Sequence, residues 1–64
     1  MLTNSRDIIK RLERDGWVHD RTRGDHHIYK KTGTRDHISI THPRKDVSIG
    51  LVKQIYKVAG WPRD

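Results

Sequence analysis

The 64-residue chain contains no cysteine. That excludes disulfides and thiolate metal sites, and it fits a reducing compartment such as the cytosol. It also has no apolar run long enough to span a bilayer and no signal-peptide h-region, which points away from membrane and secretory roles. Repeats, low-complexity tracts and linkers are missing too, so residues 1–64 are expected to form one domain. Hydrophobic residues are scarce, at 31%. A domain of this length buries only about 60% of the surface its unfolded chain exposes. Its core must therefore be thin and its stability marginal, and a partner has surface to cover.

What the chain has in excess is positive charge. Fourteen Lys and Arg against eight Asp and Glu give a formal charge of +6. A small domain this basic points to a polyanion, most often nucleic acid. The distribution sharpens the point. Residues 1–16 carry four cations and three anions, whereas residues 17–45 carry seven cations, three anions and all five histidines.

The pattern predicts helix, three strands, helix. "TNSRDIIKRLERDG" opens with cap-type residues, and Asn4 with Asp7 has the spacing of a capping box. Leu2 is placed to staple the helix start. Ile8, Ile9 and Leu12 share one helical stripe, while Lys10, Arg11, Glu13 and Arg14 fall outside it. Gly16 suits the position just beyond the helix, where a positive φ is cheap. "WVHDRT" reads as a strand that Trp17 and Val18 open, and a buried Trp17 ring is expected there. "RGD" is turn chemistry, "HHIYKK" a second strand, "TGTR" a glycine-containing hairpin loop and "DHISIT" a third strand. Pro43 disfavours a helical conformation at His42, so the strand ends there. Ser48 is placed to cap "IGLVKQIYKVAG", in which Ile49, Val52, Ile55, Tyr56 and Ala59 form an apolar stripe. Gly60 and Pro62 end that helix. Short connections make the sheet antiparallel. The expected class is thus α+β, α-β-β-β-α, with two helices on one face of a three-stranded antiparallel sheet and the other face open.

The chemistry concentrates in "RGDHHIYKK", residues 23–31. Strand alternation puts His26, Ile28 and Lys30 on one face and His27, Tyr29 and Lys31 on the other. Tyr29 is the bulkier anchor, so its face should meet the helices and His26 should face solvent. A bulge after the turn would change this. A histidine can take and give a proton near neutral pH. RNA supplies its own nucleophile, the 2′-hydroxyl. Its cleavage then needs a base, an acid and cations for the developing phosphorane charge. An imidazole ringed by Arg21, Arg23 and Lys30 meets much of that requirement. The plainer reading is that such histidines are polar strand residues, or contact phosphate without cleaving it. A zinc site is not expected. There is no HExxH, and adjacency splits His26 and His27 across the two faces. No cofactor is called for.

The segments "LERDGW", "RTRGDHHIYKK" and "ISITHPRKDVSIGLVKQIYKVAGW", taken together and in this order, resemble the HicA family of messenger-RNA interferase toxins. The resemblance covers nearly the whole chain. It implies a fold like a double-stranded-RNA-binding domain, an RNA-cleaving toxin that blocks translation, and neutralisation by a HicB-type antitoxin protein. It implies that His26 is the active histidine, that Gly24 shapes the motif turn, and that His27 stands second to His26. One position departs from the commonest motif: Asp25 replaces serine. A carboxylate beside the imidazole suits a general acid or a phosphate contact more than a free base, so the role of His26 stays open between acid and base.

The resulting expectation is a cytoplasmic toxin that binds mRNA through Arg21, Arg23, Lys30, Lys31, Arg35 and Lys45. It would cleave the RNA without metal, using His26. Two other readings remain at this point: an RNA-binding module with no catalysis, and a degenerate toxin that only binds an antitoxin.

Overall fold

A computed structural model describes residues 1–63. The elements are α1 (Ser5–Arg14), β1 (Trp17–Arg23), β2 (His26–Lys31), β3 (His37–Thr41) and α2 (Ile49–Ala59). The strands pair antiparallel in the order β1-β2-β3. Both helices lie over the face that carries Trp17, Tyr29, Ile38 and Ile40, and these join Ile8, Ile9 and Leu12 of α1 and Val52, Ile55 and Tyr56 of α2 in one core. The α+β order and the open second face agree with the expectation from sequence.

Local chemistry accounts for the element ends. Asn4 is the N-cap of α1, and its side chain accepts from the Arg6 N–H at 2.9 Å, so the cap bond forms two residues on rather than to Asp7. Gly16, at φ +93°, turns the chain out of α1 into β1. Gly60, at φ +75°, closes α2 in the left-handed conformation that costs glycine least. Ser48 does precede α2, but its side chain makes no capping hydrogen bond, contrary to expectation.

Two further details differ from the sequence reading, and a third lies outside it. Ile49 is 55% exposed and stands outside the core, because it begins α2 before the helix reaches the sheet. Arg11 is not simply solvated. Its guanidinium lies 4.4 Å from the Trp61 ring centre and 5.7 Å from that of Tyr56. Trp61 itself, beyond α2, folds back into the core. It meets Tyr56 edge-on, and its indole N–H donates to Asp15 Oδ2 at 2.6 Å. This ties the chain after α2 to the end of α1. An amphipathic cation on an aromatic face gains packing as well as charge.

The β1–β2 pairing contains one irregularity. His19 opposes Tyr29 and Arg21 opposes Ile28, so Asp20 has no cross-strand partner. This is a β-bulge. It lies within β1 rather than after the turn. Trp17 and His19 point to the helix side before it, and Arg21 and Arg23 point to the open side after it.

Trp17 is 3% exposed and wedged between the sheet and α1. Trp17→Ala is expected to cost about 3–5 kcal/mol. That is a large part of the stability of so small a domain. Urea unfolding followed by circular dichroism measures it, and a cost under about 1 kcal/mol would place the ring outside the core.

Candidate nucleic-acid interface and histidine cluster

The two-residue turn Gly24–Asp25 joins β1 to β2, with Gly24 at φ +59°. It sets Arg23 directly opposite His26. The His26 side chain is 58% exposed, and its Nε2 lies 3.6 Å from Asp25 Oδ1. Across the other edge of β2, His26 opposes Thr41. Because directly paired residues share a face, Arg23 and Arg21 stand beside His26 and Ile28, and Val18 stands beside Lys30. Asp20, the bulged residue, holds two of these cations: its carboxylate is 3.5 Å from Lys30 Nζ and 4.0 Å from Arg21 Nε. The open face is therefore a patch of Arg21, Arg23, His26 and Lys30 over Ile28. It continues into a groove between β3 and α2, lined by His37, Ser39, Leu51 and Gln54.

The other expected contacts scatter. Lys31 is on the helix side, half-buried, with its ammonium 5.8 Å from the Trp17 ring centre. It does not join the His26 face, because strand alternation turns it away. Arg35 lies at the far end of the sheet, in the β2–β3 loop, where it borders a shallow depression with Lys30 and His37. Lys45 lies at the near end, in the β3–α2 loop, beside Arg6, His42 and Arg44.

His27 points the opposite way from His26 and is not alone. Its ring centre is 5.0 Å from that of His42, edge to face, and 5.4 Å from that of His19. The three imidazoles form a row at the end of the helix-side face. Each outer ring is held by a hydroxyl. His19 Nε2 is 2.8 Å from Thr22 Oγ1, a pairing that the bulge makes possible. His42 Nδ1 is 2.7 Å from Ser5 Oγ. Ser5 is 1% exposed, and its Oγ also accepts the Arg44 N–H at 2.9 Å. The buried hydroxyl thus bonds both the His42 ring and the Arg44 backbone. Backbone bonds brace the same corner: Ser5 N–H to Arg44 O, Val47 N–H to Thr3 O and His42 N–H to Asp25 O.

Burial, then the neighbouring charges of His42 and His19, hold the His27 pKa below the ordinary histidine value of 6.5. Sequence reasoning missed His19, His42, Ser5 and Arg44 as members of a site. The only signal was the concentration of every histidine between residues 17 and 45. The rings are stacked rather than convergent. Among the described residues no group of three or more His, Asp or Glu side chains is arranged to hold a metal ion. No helix among them is long and apolar enough to cross a membrane.

Fold and site together define a small basic α-β-β-β-α domain with a cationic open sheet face and paired histidines at its end. The family model described as the HicA toxin of bacterial toxin–antitoxin systems matches residues 5–61. The chain belongs to that family. A solved HicA3–HicB3 toxin–antitoxin complex contains a chain 37% identical to this one, with a TM-score of 0.75 over 95% of this chain and 98% of that one. Among curated proteins, none matches the chain.

The depressed His27 pKa makes stability depend on pH. Well above 6.5 the ring is neutral in folded and unfolded chains alike, and its contribution is complete. As pH falls through 6.5 the unfolded chain takes up the proton first, so stability is lost down through the folded-state pKa. Thermal melts of wild type should show this acid limb, and His27→Gln should flatten it. An unchanged limb in the variant would assign the effect to another group.

Proposed function

We propose that this chain is the toxin of a toxin–antitoxin pair and acts as a metal-independent mRNA endoribonuclease. Phosphates lie over the open face against Arg21, Arg23 and Lys30, with Lys45 and Arg35 extending the contact at either end. His26 reaches the scissile phosphate from that face and, in its protonated form, gives a proton to the departing 5′-oxygen. The guanidinium of Arg23, directly across from His26, offsets charge that grows on the phosphoryl oxygens. The observation that carries this reading is the exposed His26 imidazole on a face shared with three cations. Cleaving mRNA would stop translation and would place the activity in the cytoplasm.

The partner in this reading is a HicB-type antitoxin, as in the HicA3–HicB3 complex. It would cover His26 and the adjoining groove of β3 and α2. Acidic groups on it would meet the same cations that hold RNA, so toxin inhibition and RNA exclusion would be one event.

Cleavage of a defined RNA in EDTA tests the proposal, with His26→Ala beside the wild type and both matched by circular dichroism. Wild type should cut, and the variant should lose about 10²–10⁴-fold in rate while staying folded. If neither cuts but both bind, the chain is a non-catalytic RNA-binding module.

Binding itself should be electrostatic. Neutralising three phosphates predicts that log affinity falls against log salt with a slope of about −2. A flat response would favour a protein that binds only an antitoxin.

A further inference from the structure

Phosphate contacts hold a nucleic acid in place but carry no sequence information, which comes from base edges. We propose that the groove between β3 and α2 is a pocket for one unpaired nucleobase of the RNA, the base beside the scissile phosphate. The proposal deepens the ribonuclease reading and takes from it the path of the phosphates.

The register of the sheet orders the open face into cross-strand rows. Arg23, His26 and Thr41 form the first, Arg21, Ile28 and Ser39 the second, and Val18, Lys30 and His37 the third. Successive rows lie two residues apart along β2, about 6.8 Å. That is about twice the rise per nucleotide of a stacked strand, and it suits an unstacked one. Each row contains one cation for a phosphate. With the scissile phosphate at His26, the neighbouring nucleotide falls over the second row.

That row opens into the groove, a cavity of about 280 Å³ to which Arg21, Ile28 and Ser39 all contribute. Sites that take small molecules run to about 300–1,000 Å³. The groove therefore has room for one planar ring system, and none for a helix or a folded loop. Arg21 belongs to both the cationic face and the groove, so a phosphate it holds brings the attached base to the groove mouth.

The lining suits a base. Leu51 and Val58 of α2 are half-buried against the core, and Ile28 is half-buried on the open face, so the walls are apolar where a ring would lie flat. The polar groups are available. Among the described residues the side chains of His37, Ser39 and Gln54 make no hydrogen bond to another residue, and all three are exposed. The Gln54 amide offers a donor and an acceptor side by side, the pattern that base edges complement. The Ser39 hydroxyl adds a group that can donate or accept. An apolar anchor from a protein would fill the same space and leave these groups unpaired, whereas a base edge pairs them.

The test maps cleavage of a random-sequence RNA pool by the full chain and reads the base at each position around the cuts. Wild type should favour one base, next to the scissile phosphate, by roughly 5–150-fold. Gln54→Leu combined with Ser39→Ala removes the edge contacts, and cleavage at the favoured base should fall to the rate at the others. No preference in wild type, or the same preference in the double variant, overturns the pocket and spares the ribonuclease reading. An unchanged preference would also assign the groove to a protein partner.

A wild type that binds RNA and never cleaves overturns the ribonuclease reading alone. Binding then decides the pocket: RNA retained from the same pool should be enriched in one base at one position, and the double variant should lose that enrichment. Retention without enrichment overturns the pocket, and no retention overturns both. Should the double variant misfold by circular dichroism, wild type decides by itself. With 2′-deoxyribose at the cut site, an abasic residue in place of the favoured nucleotide should weaken binding by roughly 5–150-fold. The same lesion several nucleotides away should not, and equal affinities overturn the pocket.

Discussion

The register of β1 against β2, with its single bulge at Asp20, is the constraint on which the site depends. Cross-strand partners must share a face, and successive residues must alternate. Tyr29 is large and apolar enough to be drawn under the helices, and that sends His26 outward and His27 inward. In an unbroken β1 paired in the same way at Trp17 and His19, Arg21 and Arg23 would follow those two residues to the helix side. The bulge reverses the alternation and delivers both arginines to His26. It also leaves His19 and Thr22 on one side, three residues apart, where they bond. One unpaired residue therefore assembles the cationic face and one end of the imidazole row.

A second constraint is the thin core. Few apolar residues are available, so several polar groups are used as fasteners. Ser5, buried, links α1 to the β3–α2 loop through Arg44 and His42. Asp15 and Arg11 secure Trp61, and the Tyr56 hydroxyl accepts from the Leu2 N–H at 2.7 Å. Such bonds are modest in net energy but costly to leave unmade once buried. In this chain the groups that hold the corner of the fold are also the groups that orient His42.

The open face has the opposite character. Its cations are exposed, and Asp20 ties down two of them without burying them. Exposed ion pairs contribute little to stability. Their effect is to keep Lys30 and Arg21 near Ile28, where a phosphate backbone or an acidic partner can displace a single carboxylate. A face that does little for folding is free to bind, and the apolar groove beside it widens the area for a protein partner.

The sequence by itself determined the order of the elements, because apolar residues recur at helical spacing in α1 and α2 and alternate in β3, with glycine at each helix end. It also determined that His26 and His27 part company, since adjacent residues of any strand must. The family motif was legible for the same reason: it is local in the chain. Whether a given cation stands beside His26 was not local. Lys31 went to Trp17, and Arg35 and Lys45 to opposite ends. The fold also recruited His19, His42, Ser5 and Arg44, which lie up to 39 residues apart. No spacing rule connects them. They meet because strand register, one bulge and a braced loop bring them to one corner, and only tertiary packing sets those.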